Sequence, residues 1–145
     1  MFFIIIINCL LVAIAVMIHY EVLMKLSKIL PGMKIKHRFR VAAGLIGALI
    51  AHVAEVWMFG FAYYFLIKQE SFGKITGVHD GSLMDCIYFS FVNYTTLGYG
   101  DQVPEGLIRY TAGLEALTGL VLIAMTSSFL FVQIQKYWSK SDLKE

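Results

Sequence analysis

The chain has 145 residues, of which 59% are hydrophobic and 15% are charged, and its formal net charge is +2. With a mean hydropathy of +0.71, this composition excludes an ordinary soluble domain, which would have too little polar surface to stay in water. The sequence shows no nucleophile–base set, metal cluster or phosphate-binding loop. We therefore expect no enzyme, no bound cofactor and no nucleic-acid partner.

Three apolar stretches are long enough to span a membrane as helices, which need about 20 residues each. They are Phe2–Ile18, Val41–Ile67 and Tyr110–Val132. We predict that the first is a retained helix, because no basic residue precedes its apolar core and no A-x-A-like cleavage site follows it. A fourth stretch, Leu83–Asn93, is too short to span and predicts a buried or re-entrant element.

Lysine and arginine are distributed unequally along the chain. Nine of them lie between the first two spans or after the third, and three lie between the second span and the third. Because cytoplasmic loops carry the excess of basic residues, we predict a multi-pass protein of the plasma (inner) membrane with its N-terminus outside and its C-terminus in the cytoplasm. A basic run before the second span would also attract anionic lipid headgroups, although the orientation bias explains it as well: Lys34, Lys36, Arg38 and Arg40.

The segment Y-T-T-L-G-Y-G-D, residues 94–101, follows the re-entrant stretch. Ser82 is a predicted N-cap of that short helix, and Asp85 falls in its first turn. The helix is predicted to end where Thr95 begins. Non-helical backbone leaves its carbonyls unpaired, which at membrane depth is tolerated only where the backbone is buried in protein or lines a watery cavity.

Residues 96–101, T-L-G-Y-G-D, resemble the T-V-G-Y-G-D selectivity filter of the potassium channel family. The aromatic residues of the preceding helix and the order outer helix, pore helix, filter and inner helix match the family from about Val41 to the C-terminus. The resemblance implies an all-α membrane protein with three transmembrane helices, a re-entrant pore helix and a filter loop. It would assemble as a homotetramer around a central pore, because one chain supplies only one filter strand.

The resemblance also implies roles for single residues. Permeant K⁺ ions would exchange their hydration shell for backbone carbonyls of the filter, with an added threonine hydroxyl. The carbonyls are those of Thr96, Leu97, Gly98 and Tyr99. Gly98 and Gly100 would permit a backbone of alternating hand, and Thr95 would support the filter.

By the same resemblance the chain divides into four parts. These are an extra N-terminal helix (1–24), a basic cytoplasmic linker (25–40), a pore domain (41–135) and a short cytoplasmic tail (136–145). The pore domain is predicted to contain the outer helix (41–67), the pore helix (82–94), the filter (95–101) and the inner helix (110–135).

This sequence departs from the family around the filter. Leu97 replaces the commoner valine. Phe89 stands near a position where some members have a tryptophan bonded to the filter aspartate, and Val92 stands where others have a glutamate paired with it. Asp101 would lack these partners unless Tyr88 substitutes for them. We therefore expect an outer filter that is prone to inactivation at low external potassium.

Four residues of the inner helix recur at every fourth position and so share one face: Gly119, Ile123, Ser127 and Phe131. By resemblance this face lines the cavity below the filter, and Gly119 lies where many members have a hinge. Four copies of Phe131 would form a hydrophobic gate that closes by dewetting. The alternative is that Phe131 packs against the outer helix.

Ionisable residues inside spanning helices usually have a partner, because an unpaired charge there is costly. We predict that Glu115 braces the pore helix from behind or stays protonated. His52 and Glu55 are spaced i, i+3 and share a face. They would form either a proton-sensitive contact with another helix or a static buried hydrogen-bond network.

The leading interpretation is a passive potassium-selective channel. A non-selective cation channel is the first alternative, and Tyr99 argues against it, because non-selective members of the family usually alter that position. A regulatory membrane subunit that needs a partner to conduct is the second, and the complete filter argues against it. An active transporter of related fold would carry four pore loops in one chain. No helix carries a spaced arginine ladder, so we expect no voltage sensor of the usual type.

Overall fold

Four α-helices and one small sheet make up residues 1–141, the part of the chain that this computed structural model describes. The helices are α1 (Phe2–Ile29), α2 (His37–Leu66), α3 (Leu83–Tyr94) and α4 (Ile108–Ser141). The strands are β1 (Gly73–Gly77) and β2 (Gln102–Gly106). Three stretches are long and apolar enough to cross a membrane: Phe2–Gly32, Arg38–Leu66 and Ile108–Lys136. The predicted fold of three spanning helices and one short helix is thus confirmed.

The long helices extend beyond their apolar stretches. α1 continues to Ile29 and α2 begins at His37, so most of the predicted linker, residues 25–40, is helical. α4 likewise runs through much of the predicted tail to Ser141. Hydropathy marks where a helix leaves the apolar layer, whereas the helix itself ends only where its backbone hydrogen bonding is interrupted. For α1 the interruption comes at Pro31, which lies within the 3₁₀ turn Leu30–Gly32 and has no N–H to donate.

The sheet was not predicted. β1 pairs antiparallel with β2, with Gly73 opposite Gly106 and Gly77 opposite Gln102. Gly77 has a φ of +96°, and a Cβ there would lie 2.1 Å from the carbonyl oxygen of Asp101. Strands this short and rich in glycine carry little strand signal in their sequence. The sheet fastens the connection after α2 to the chain that leaves the predicted filter.

The short helix α3 packs closely against α2. A Cβ at Gly60 of α2 would lie 2.9 Å from the Cα of Ile87, so only glycine permits this approach. The ring of Phe89 in α3 also meets the ring of Tyr63 in α2 edge-on, with centroids 4.9 Å apart. α3 is therefore held by apolar contacts along its buried side, which fixes the position of the segment that follows it.

α1 packs against both α2 and α4 of its own chain. Near its start, the buried side chain of Asn8 accepts a hydrogen bond from Thr111 of α4 (2.8 Å). Further along, His19 contacts Glu55 of α2 at 3.0 Å. Buried polar contacts of this kind fix the rotation of a helix, because an unpaired polar group in an apolar environment costs several kcal/mol.

Candidate functional site

The predicted filter, residues 95–101, is a non-helical segment between α3 and β2. Thr96, Gly98 and Gly100 have φ values of +58°, +57° and +79°, and Leu97 and Tyr99 between them keep negative φ. The alternating hand expected at the two glycines is therefore present. Thr96 was not expected to share it, because a β-branched residue with positive φ is an outlier. Alternation of hand lets successive peptide groups face the same side of the chain.

The start of this segment is tied to the last turn of α3. Thr95 donates both its N–H and its hydroxyl to the carbonyl of Phe91, at 3.1 and 2.7 Å. The N–H of Leu97 donates to the carbonyl of Val92 (3.0 Å). Thr95 and Val92 thus contact this segment through hydrogen bonds to carbonyls of α3, and their role in supporting the filter stays a prediction. Since any residue at position 92 offers a carbonyl, the absence of a glutamate there leaves this contact intact.

The far end of the segment is held at Asp101. Tyr88 donates a hydrogen bond to the Asp101 carboxylate (2.8 Å). The Asp101 carbonyl accepts from the N–H of Val78, just beyond β1, at 2.9 Å. Phe89, which was predicted to support the filter, is instead 2% exposed and lies in the core against Tyr63. Tyr88, one residue earlier and about 100° around α3, contacts Asp101 instead. That this contact braces the filter stays a prediction.

The start of α3 is capped as predicted. The Ser82 hydroxyl accepts from the N–H of Asp85 (3.1 Å), and the Asp85 carboxylate accepts from the N–H of Asp80 (2.8 Å). The Ser82 N–H donates to the Asp80 carboxylate at 2.7 Å. Hydrogen bonds from Ser82 hold the pKa of the Asp80 carboxyl below its usual value. Two carboxylates at the helix N-terminus also complement its partial positive charge.

A comparison with protein families identifies this arrangement. A family model described as an ion channel matches residues 51–136, which is more than half of the chain. The chain belongs to this ion channel family. The match runs from within α2 through α3 and the filter segment into α4. Neither the curated proteins nor the solved structures gave a match. With its three apolar spans, this ion channel chain is a membrane protein.

In this channel chain, the predicted pore-lining face of α4 divides into two parts. Ile123 and Ser127 line an apolar groove of about 370 Å³, and Phe131 is 59% exposed. Gly119 is buried instead, and a Cβ there would lie 2.1 Å from the carbonyl oxygen of Tyr94. Gly119 therefore brings α4 against the end of α3. Its hinge role and the gate at Phe131 stay predictions.

Glu115 of α4 reaches the back of α3. It is fully buried and accepts hydrogen bonds from Tyr63 (2.6 Å) and from Ser90 of α3. The Ser90 hydroxyl also lies 2.8 Å from the carbonyl of Val56. Ser90 has one proton, so if it donates to the Val56 carbonyl, Glu115 must carry a proton to complete its own contact with Ser90. The two roles predicted for Glu115, bracing and staying protonated, are thus compatible with each other.

His52 and Glu55 contact residues of the three other helices. Glu55 lies 3.0 Å from His19 of α1 and accepts a hydrogen bond from Tyr94 of α3. His52 lies 2.8 Å from the Tyr94 hydroxyl and 3.0 Å from the Thr126 hydroxyl of α4. Sequence reasoning missed His19, Tyr94 and Thr126. The signal for His19 was available, since an ionisable residue within an apolar span calls for a partner.

Proposed function

We propose that this chain forms a potassium-selective channel that conducts K⁺ passively through residues 96–100. The alternating backbone hand in T-L-G-Y-G-D is the observation that carries the proposal. Such a backbone can present a row of carbonyl oxygens, and rings of carbonyls replace the hydration shell of K⁺ in potassium channels. The ligands would be the carbonyls of Thr96, Leu97, Gly98 and Tyr99.

Exposed apolar side chains at this segment support assembly into a homotetramer. In the single chain Leu97 is 55% exposed and Tyr99 is 66% exposed. Non-helical backbone at membrane depth must be packed by protein or line a watery cavity. Neighbouring copies would cover these side chains, while the carbonyls face the pore. Fourfold cyclic symmetry is the arrangement that the family resemblance implies.

The proposed orientation places the filter near the outer face of the plasma (inner) membrane. It rests on the excess of lysine and arginine before α2 and after the apolar part of α4. The basic run Lys34 to Arg40 would then meet the headgroups of the cytoplasmic leaflet, where anionic lipids attract it. Vesicles with and without anionic lipid would test this contact by their effect on the flux of the reconstituted protein.

The decisive experiment is the reversal potential of purified protein in planar bilayers, with potassium on one side and sodium on the other. We expect a value near the potassium equilibrium potential. A value near zero with measurable current would replace the proposal with a non-selective cation channel. Current that requires an added partner chain would instead identify a regulatory subunit.

A pair of glycine variants ties selectivity to the backbone. Gly98→Ala places a side chain at a φ of +57°, which costs about 1–2 kcal/mol per chain. We expect it to abolish current or reduce selectivity. Gly32→Ala is the matched control, because Gly32 lies outside the filter and an added Cβ would meet nothing within 4 Å. Unchanged selectivity in Gly98→Ala would remove the backbone argument for the proposed filter.

A further inference from the structure

Five side chains from all four helices form a closed ring of hydrogen-bond contacts, here called the polar ring. Its members, in order around it, are Glu55, His19, Thr126, His52 and Tyr94. The contacts are Glu55 Oε1 to His19 Nδ1 (3.0 Å), His19 Nε2 to Thr126 Oγ1 (3.0 Å), Thr126 Oγ1 to His52 Nε2 (3.0 Å), His52 Nδ1 to the Tyr94 hydroxyl (2.8 Å) and the Tyr94 hydroxyl to Glu55 Oε2. Every polar side-chain atom of the ring is used.

The number of available hydrogens decides how many of the five contacts in the polar ring can be hydrogen bonds. Each contact needs one hydrogen, so a closed ring needs five. The two hydroxyls and two neutral imidazoles supply one each, and an ionised Glu55 supplies none. With the carboxylate ionised and both imidazoles neutral, one contact therefore brings two lone pairs together. One extra proton supplies the fifth hydrogen and closes the ring. On Glu55 it lets every member donate once and accept once; on an imidazole it makes that histidine donate to both of its neighbours.

Electric charge favours a proton over a metal ion in this position. His19, His52 and Glu55 offer one ligand atom each within 4.8 Å of one another, a spacing that suits a metal as well. However, the ring without its extra proton has a net charge of −1. A proton brings it to zero, whereas a divalent metal brings it to +1. The side chains of His19 and Glu55 are 0% exposed, and burying a net charge is costly.

The polar ring includes residues at the end of α3, next to the proposed filter, and on α4, the predicted inner helix. Tyr94 ends α3 and immediately precedes Thr95, and its carbonyl lies against Gly119 of α4. Thr126 belongs to α4 itself. Within the part of the chain that the structure describes, the other buried carboxyl near Tyr94 is Glu115 on α4, which bonds to Tyr63 and Ser90 outside the ring.

A groove lies beside the ring and is lined in part by His52. The side chain of His52 is 13% exposed. It lines the groove of about 370 Å³ together with Thr95, Ile123 and Ser127. Because Ile123 and Ser127 belong to the predicted pore-lining face, this groove would open toward the cavity in the proposed tetramer. Water in that cavity would exchange protons with His52.

We propose that the polar ring is a proton-binding site that regulates the channel, an inference that rests on the proposed function. With one bound proton the ring is closed and holds the end of α3 against α1, α2 and α4. Loss of that proton on the alkaline side leaves a buried charge and a repulsive contact, so the hold on Tyr94 is released and the filter loses its support. Potassium flux falls as the ring loses its proton.

The first test is Glu55→Gln, measured as potassium flux from liposomes across pH 5 to 9. An amide donates one hydrogen bond and accepts one, so the glutamine ring has five donors, is neutral and needs no titratable proton. Wild-type flux should fall at least about fivefold across one titration, which is the low end of typical coupling. Glu55→Gln should keep conducting at the alkaline end. Glu115→Gln, a buried carboxyl outside the ring, is the matched control and should keep the wild-type pH dependence.

A second pair guards against a variant that fails to fold. Thr126→Val keeps the shape of the side chain but removes the hydroxyl that both imidazoles contact. Thr126→Ser keeps the hydroxyl. We expect the pH midpoint to move by about one unit or more in Thr126→Val, since a lost hydrogen bond changes proton affinity by about that amount, and to stay in place in Thr126→Ser. The pH dependence of the unfolding midpoint in detergent should show the same pattern without requiring conduction.

The outcomes separate the two proposals. If no variant and no wild-type protein conducts potassium selectively, the proposed function fails, and the unfolding profiles still test the ring. A wild-type protein that conducts potassium selectively with a flat profile from pH 5 to 9, on both sides of the membrane, would overturn the ring alone. Equal midpoints in Thr126→Val and Thr126→Ser would do the same. Stoichiometric zinc in the purified wild-type protein that is lost in Glu55→Gln would make the ring a metal site instead.

Discussion

Replacing Gly119 by alanine tests whether this residue is a packing position or a hinge. An added Cβ would lie 2.1 Å from the carbonyl oxygen of Tyr94 and 2.9 Å from its carbonyl carbon. Both atoms are backbone, so no rotamer change relieves the overlap. Gly113 lies on the same helix, and a Cβ there would meet nothing within 4 Å. Gly113→Ala is thus the same substitution without the overlap.

The expected loss of unfolding free energy follows from how far α4 must move to relieve the overlap. An ordinary carbon–oxygen contact is above about 3 Å, so α4 must move away from the end of α3 by about 1 Å. Overpacking of this kind costs about 1–3 kcal/mol. Glycine to alanine within a helix gains up to about 1 kcal/mol at both positions. The difference in unfolding free energy between Gly119→Ala and Gly113→Ala is therefore expected to be about 1–3 kcal/mol, with Gly119→Ala the less stable.

The measurement is unfolding of each variant in detergent at one fixed protein concentration, alongside potassium flux from liposomes. Close packing predicts lower stability together with reduced flux, because Tyr94 leads directly into the filter. A hinge predicts reduced opening with unchanged stability. If Gly119→Ala matches Gly113→Ala in both measurements, α4 does not contact the Tyr94 carbonyl as described, and the reasoning is refuted.

Three further predictions concern other contacts. Tyr88→Phe removes the hydrogen bond to Asp101 and should make currents inactivate faster as external potassium is lowered; an unchanged inactivation rate would show that this bond does not brace the filter. Asn8→Leu leaves the buried Thr111 hydroxyl without its acceptor and should lower the unfolding free energy by about 1–3 kcal/mol, whereas Asn8→Leu combined with Thr111→Val should recover much of this loss. Phe131→Ala should raise open probability in single-channel records if four copies form the gate, and an unchanged open probability would eliminate that gate.

The parts of the site that the sequence could predict are formed by residues that are close together in the chain. The filter motif, the cap at Ser82 and the three apolar spans are of this kind. The polar ring is not, because its members lie far apart in sequence: His19 and Thr126 are separated by 107 positions. Which residues meet depends on the rotation of each helix, and α1 is apolar on all sides, so its hydropathy shows no preferred face. Its polar residues do give a signal, since 11 residues at about 100° each place Asn8 and His19 on one face.

The family match begins at residue 51, so α1 and the first part of α2 lie outside it. The buried contacts nevertheless make α1 part of the same folded unit. Asn8 is the acceptor for Thr111, and His19 contacts both Glu55 and Thr126. Without α1, Thr111 would lose its acceptor, and Glu55 and Thr126 would each lose one of two contacts and keep only Tyr94 and His52, respectively. A buried polar group left unpaired at membrane depth costs several kcal/mol. Thr111 and Thr126 are separated by about 22 Å along α4, from the rise of a helix. A displacement of α1 would therefore reach α4 at two levels, at Thr111 and at the polar ring.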